Sequence, residues 1–112
     1  MNDKRKIKNN NPSSHTFREV YYINGQLMAR CYYKGEVLDG TDEMWYPNGQ
    51  IQKRTNYKNG KLDGISETWY ANGKINTRIN YKDGKTEGVC ELFGESGELI
   101  SRSTWKNDMP ID

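Results

Sequence analysis

The sequence predicts an all-β protein, an elongated, single-layer, twisted antiparallel meander of about four 24-residue β-hairpin units, and three observations predict it. Gly25, Gly49, Gly73 and Gly97 recur at intervals of 24, as do Tyr33, Tyr57, Tyr81 and Trp105, and so do Gly40, Gly64 and Gly88. Asn-Gly, the dipeptide favoured in tight hairpin turns, stands at Asn24-Gly25, Asn48-Gly49 and Asn72-Gly73, with Ser96-Gly97 in the fourth place. The hydrophobic fraction is 33%, below the roughly 45% of an ordinary globular domain. With 11 glycines and 8 tyrosines, that composition suits a thin, aromatic-rich sheet better than a thick core.

The chain divides at residue 17. Lys4, Arg5, Lys6 and Lys8 are followed by "NNNPSSH", which predicts a basic, polar, flexible arm over residues 1–16. His15 falls in that arm and is expected to have no ordered neighbours. The repeat sheet is expected over residues 17–112, with the fourth unit a terminal cap. Setting aside the first eight residues leaves 13 positive and 14 negative side chains, so the body is close to neutral. No apolar run approaches the roughly 20 residues a membrane helix needs, and no apolar signal segment follows the basic start. A cytoplasmic location is therefore expected. Cys31 and Cys90 have no second cysteine near either, which argues against metal spacing and for two free thiols, a disulfide being the alternative.

Each unit reads as strand, Asn-Gly turn, strand and glycine-bearing link. If Asn48 and Gly49 form a two-residue type I′ turn, Pro47 lies opposite Gln50, Glu43 faces Arg54 and Gly40 faces Tyr57. The same offset sets Glu19 against Arg30, Glu67 against Arg78 and Glu91 against Arg102. Each opposed pair is worth roughly 0.2–1 kcal/mol. It also lays Tyr81 over Gly64 and Trp105 over Gly88, rings covering strand positions without side chains. The links "YKNGKLDG" and "YKDGKTEG" carry their own turn dipeptides, so successive hairpins are expected to pair side by side. Gly35 comes one place early and implies an altered first link. In the closing segment Asp108 and Asp112 replace glycines.

Strict alternation sorts the strands into two faces. One collects Tyr22, Tyr46 and Tyr70, then Leu27, Ile51, Ile75 and Leu99, then Tyr33, Tyr57, Tyr81 and Trp105, and is expected to be the packed face. The other collects Tyr21, Trp45, Trp69 and Phe93 beside the charge pairs. Trp, Tyr and Arg dominate interface hot spots, so Tyr21, Trp45, Trp69, Phe93, Arg30, Arg54, Arg78 and Arg102 are the candidate partner-binding residues. A self-supporting lattice of rings and salt bridges is the competing reading.

The units "YKNGKLDGISETWYANGKI" and "YKGEVLDGTDEMWYPNGQI" resemble MORN-type repeats in the shorter bacterial variant built on Y-x-x-G-x-x-x-G, over about residues 17–112. Gly94, in place of the second aromatic of the fourth unit, departs from the pattern. The resemblance implies an elongated scaffold sheet with structural roles for Gly40, Gly49, Gly64, Gly73 and Gly88. It is also a resemblance to the YwqK-type antitoxins of toxin-antitoxin systems, which implies a protein that neutralises a toxin, nuclease or defence effector.

The residues themselves argue against catalysis. His15 is the one histidine, and each repeated glutamate is matched to an arginine, which favours the ionised carboxylate over the proton donor. No cofactor or metal is expected. Each arginine likewise has its glutamate, which speaks against nucleic acid, and no lipid anchor or amphipathic helix supports membrane binding. The expected function is a non-enzymatic module that occludes a partner protein. The alternatives are a scaffold self-associating as a homo-oligomer through sheet edges or faces, and a binder of single-stranded nucleic acid or anionic lipid.

Overall fold

The computed structural model describes residues 6–9 and 15–111. These form one antiparallel sheet in chain order: β1 (Lys6–Asn9), β2 (His15–Tyr21), β3 (Leu27–Lys34), β4 (Val37–Trp45), β5 (Ile51–Lys58), β6 (Lys61–Leu62), β7 (Gly64–Trp69), β8 (Ile75–Lys82), β9 (Lys85–Phe93), β10 (Leu99–Lys106) and β11 (Met109–Pro110). The short β6 pairs with β5 and runs into β7, so the eight long strands are the four expected hairpins. The sheet starts earlier than the sequence suggests. β2 begins at His15, and Lys6–Asn9 pairs with it, Lys6 opposite Glu19 and Asn9 opposite Thr16. The remainder of the expected arm lies outside the described residues.

The sheet is thin and open, with extents of 43 × 33 × 18 Å and a radius of gyration of 15.8 Å. A compact chain of this length would have a radius near 13 Å. Among the described residues Phe17 is the one buried hydrophobic side chain, and neither face is packed as a core. The expectation of a packed face therefore fails. With a single layer there is no second layer to press against, and stability rests on the backbone ladder and on lateral contacts within each face.

The hairpin turns differ from expectation in a way that cancels. At Tyr46–Gln50 the Gly49 amide donates to Tyr46 O (2.9 Å) and the Tyr46 amide to Gln50 O (2.8 Å). Gly49 has φ +93°, whereas Asn48 is not left-handed. This is a three-residue loop, a type I turn closed by a left-handed glycine, and not a two-residue type I′ turn. Pro47 presets the first corner, and Asn48 Oδ1 accepts from the Gln50 amide at 2.9 Å. Gly25, Gly73 and Gly97 repeat the arrangement. The longer loop pairs Trp45 with Ile51, and a bulge at Gln52 then restores the expected register, Met44 with Lys53, Glu43 with Arg54 and Gly40 with Tyr57.

The type I′ turns occur in the links. Asn59-Gly60 and Asp83-Gly84 have positive φ at both residues, and Asn107-Asp108 does the same without glycine (φ +50° and +66°). Gly35 is positive alone, with Lys34 paired to Val37, the type II′ pattern. This is the altered first link expected from the shifted glycine. Gly64 pairs with Tyr81 and Gly88 with Trp105, as expected. Gly40, Gly64 and Gly88 nevertheless recur chiefly for backbone conformation, with φ between +101° and +117°. A side chain there would point toward Tyr32, Asn56 or Asn80 of the preceding strand and not toward the paired ring. Asn56 and Asn80 fill these irregularities by donating from Nδ2 to Ile65 O and Val89 O, each at 2.7 Å.

Candidate protein-binding face

The register places one charged residue per strand in a single row. Glu19 pairs with Arg30, Arg30 with Glu43, Glu43 with Arg54, Arg54 with Glu67, Glu67 with Arg78, Arg78 with Glu91 and Glu91 with Arg102. The four expected pairs are therefore parts of one alternating row. Arg30 Nε and Nη2 both lie 3.0 Å from Glu19 Oε2, Arg54 Nε lies 3.0 Å from Glu43 and Arg78 Nε lies 3.2 Å from Glu67. Arg78 also reaches Glu91 at 3.8 Å, and Arg102 approaches Glu91 only to 3.9 Å. The carboxylates sit deeper than the guanidiniums, Glu19 being 4% exposed.

Beside this row, on the same face, runs a row of rings and aliphatic side chains. Tyr21 pairs with Leu27, Trp45 with Ile51, Trp69 with Ile75 and Phe93 with Leu99. Residues directly opposite one another in a sheet share a face. Leu27, Ile51, Ile75 and Leu99 therefore stand with the tryptophans and not with Tyr57 and Tyr81. The bulge residue in each unit breaks strict alternation and moves them across. Arg30 lies 5.7 Å from the Trp45 ring centre, Arg54 5.8 Å from Trp69 and Arg78 5.9 Å from Phe93. Each arginine thus holds a glutamate of its own unit and covers a ring of the next. Tyr21 donates from its hydroxyl to Glu19 Oε1 at 2.8 Å, and that bond pushes its phenol pKa up.

The eight candidate residues are thus brought together on one face, the rings half-buried and recurring about every 9.6 Å at two strands per unit. A strap that sequence reasoning missed keeps the units in step. Tyr22, Tyr46 and Tyr70 donate from their hydroxyls to the carbonyls of Trp45, Trp69 and Phe93, each at 2.7 Å. The 24-residue recurrence of these tyrosines was the available signal. Gly94 occupies the equivalent place in the fourth unit and has no hydroxyl to donate, which gives the sequence departure a structural meaning.

His15 is not the isolated arm residue expected. It opens β2, and its Nε2 lies 3.0 Å from Asp39 Oδ1. That hydrogen bond, with one from the Asn59 amide to Asp39 Oδ2, holds the Asp39 carboxyl below the usual range.

The opposite face carries Cys31, Asp42, Thr55, Ser66, Ile79 and Cys90 in successive register. Five strand spacings, on the order of 24 Å, separate the cysteines, and both are free. No group of three or more potential metal ligands occurs among the described residues. Burial pushes the Asp42 carboxyl up, Glu43 adding to the effect and Lys53 opposing it. A folded-state pKa above the unfolded one means that stability is lost as pH rises through that interval. Asp42→Asn is expected to raise the melting temperature at pH 7, with the gain disappearing at pH 3, as thermal melts at the two pH values would show.

Comparison with family models matches the MORN repeat variant over residues 38–59, 62–83 and 86–107, more than half of the chain. Comparison with curated proteins finds no match. The three matched segments each run from one link to the next. The β2–β3 hairpin lies ahead of them but shares their Glu–Arg pair and their glycine turn. Repeats of this kind are protein- and lipid-binding modules and not a known enzyme family, and with half its length in three successive matches this chain belongs to the MORN repeat variant family.

Proposed function

We propose that this chain is a non-enzymatic module that binds a partner protein in the cytoplasm and covers part of its surface, as an antitoxin, immunity protein or effector inhibitor does. One observation carries the reading: a regular row of half-exposed rings, with Trp45, Trp69 and Phe93 each covered by an arginine, lies along one face of balanced charge. Rings and guanidiniums already held in place lose little freedom on binding, and such anchors supply most of the energy of protein interfaces. Charge balance favours protein over polyanion, because each guanidinium has carboxylates beside it. On contact, Arg54 and Arg78 can exchange a glutamate for an acid of the partner without leaving a buried charge alone.

The test is the double variant Trp45→Ala, Trp69→Ala. Wild type immobilised in native lysate identifies the partner, and affinity is then measured with purified components. Loss of two anchors is expected to weaken binding by about 100-fold or more, with the sheet signal in circular dichroism retained. Unchanged affinity, or loss only with Tyr57→Ala and Tyr81→Ala on the opposite face, would exclude this surface.

A further inference from the structure

We propose that the ring face holds a proline-rich, acidic segment of the partner protein in the polyproline II conformation, an inference that rests on the binding role argued above for that face. Two indole donors stand there without partners. Trp45 and Trp69 are half-buried rungs whose Nε1–H groups make no hydrogen bond, whereas Trp105, on the opposite face, donates from Nε1 to Ser103 Oγ at 2.8 Å. No buried polar side-chain atom among the described residues lacks a partner, so the Trp45 and Trp69 donors are open to solvent. A polyproline II chain makes no internal hydrogen bonds, which leaves every carbonyl free to accept from such a donor while its rings lie on aromatic side chains. Its backbone needs no sheet edge to pair with.

The spacing of the rungs selects the same conformation. Trp45, Trp69 and Phe93 recur every two strands, about 9.6 Å, with the smaller Ile51 and Ile75 between them. The tyrosine straps hold that interval. Polyproline II turns once in three residues and advances about 3.1 Å per residue, so residues i and i+3 share one edge about 9.3 Å apart. A β-strand sends residues i and i+3 to opposite faces, and an α-helix returns to one face only after seven residues, about 10.5 Å. Without internal hydrogen bonds the polyproline chain also bends with the twist of the sheet.

Charge defines the remaining edge of the ligand. The side chains of Arg30, Arg54 and Arg78 are 31–42% exposed, and those of Glu19, Glu43 and Glu67 only 6–17%. The row is balanced in total, but its outer layer is guanidinium. A carboxylate at every third residue, beside prolines seated between the rings, therefore meets Arg54 and Arg78 in successive units. The occupant reads as a repeat of proline and acid with a period of three.

The probe is the acetylated and amidated peptide PPEPPEPPEPPE, titrated into the isotope-labelled full chain and followed by the indole N–H resonances of its 3 tryptophans. Saturable shifts at Trp45 and Trp69, with Trp105 unmoved, are expected. The peptide PPQPPQPPQPPQ keeps the conformation without the charge and should bind about tenfold more weakly. GSEGSEGSEGSE keeps the charge without the preformed helix and should also lose about tenfold or more. In the protein, Trp45→Phe with Trp69→Phe keeps the rings and removes the donors; Phe93 fills this place in the fourth unit, and binding should fall about tenfold with the sheet intact. The proposal fails if the two indoles do not move, if Trp105 moves with them, or if GSEGSEGSEGSE or PPKPPKPPKPPK binds as tightly as the proline-glutamate peptide. Such a failure, with the partner's affinity still lost in Trp45→Ala, Trp69→Ala, would reject this occupant and leave the ring face as the binding surface.

Discussion

Exchanging the charges of a single pair, Glu67→Arg with Arg78→Glu, is expected to destabilise the protein and not to leave it neutral. In an isolated ion pair the swap preserves the attraction. Here Glu67 also lies opposite Arg54, and Arg78 also lies opposite Glu91. The exchange keeps one favourable contact and creates two like-charge ones, Arg54 with the new arginine and Glu91 with the new glutamate. Each reversal removes an attraction and adds a repulsion, so the cost is about 2 kcal/mol, or a fall in melting temperature of roughly 10 °C. Chemical denaturation of the double variant measures it. A swap that melts like wild type would mean that the row acts as separate pairs and that the longer contacts, such as Arg78 to Glu91 at 3.8 Å, carry nothing. High salt should shrink the deficit, because the guanidiniums are partly exposed.

Gly40→Ala is expected to cost still more, about 2–4 kcal/mol, by two mechanisms acting together. Gly40 has φ +117°, which L-residues avoid, and an added Cβ would stand 3.1 Å from Tyr32 Cβ, inside ordinary van der Waals contact. That neighbour is the root of a side chain whose ring meets Phe17 at a tilt of 42°, the centroids 5.5 Å apart. Relieving the clash therefore disturbs the one buried apolar contact of the described sheet. Gly25→Ala is the control. At φ +91° it shares the strain but has nothing within 4 Å, so it should lose only about 1 kcal/mol. Equal losses at the two sites, read from urea midpoints, would show that conformation alone places glycine at these positions and that the approach of Tyr32 is immaterial.

These two cases also mark how far the residues could be read. Glu43 opposite Arg54 and Gly40 opposite Tyr57 follow from counting outward from Asn48-Gly49, and both pairs are found. The count succeeds although its turn is wrong, because one more residue in the loop and one bulge at Gln52 offset each other. Distant pairs are blind to the exchange. Ile51 lies between loop and bulge and is not: alternation sends it to the face of Tyr57, and the bulge turns it to Trp45. The turn chemistry was legible but misassigned, since Asn-Gly serves both the three-residue loop at Asn48 and the type I′ link at Asn59, and only the backbone separates φ +52° at Asn59 from Asn48. His15 was misread because its partner, Asp39, is 24 residues away and depends on how the first link folds.

The sequence by itself determined the period, the antiparallel hairpin repeat and the charge pairs within each unit, since these follow from spacing along one stretch of chain and from the alternation of a strand. The tertiary structure decided what joins unit to unit: the continuous Glu–Arg row, the arginines laid over the rings of the next unit and the tyrosine straps. Those contacts span neighbours whose offset is set by the link turns and by positive-φ glycines, and a shift of one residue there carries a side chain to the opposite face of a sheet that has no core to correct it.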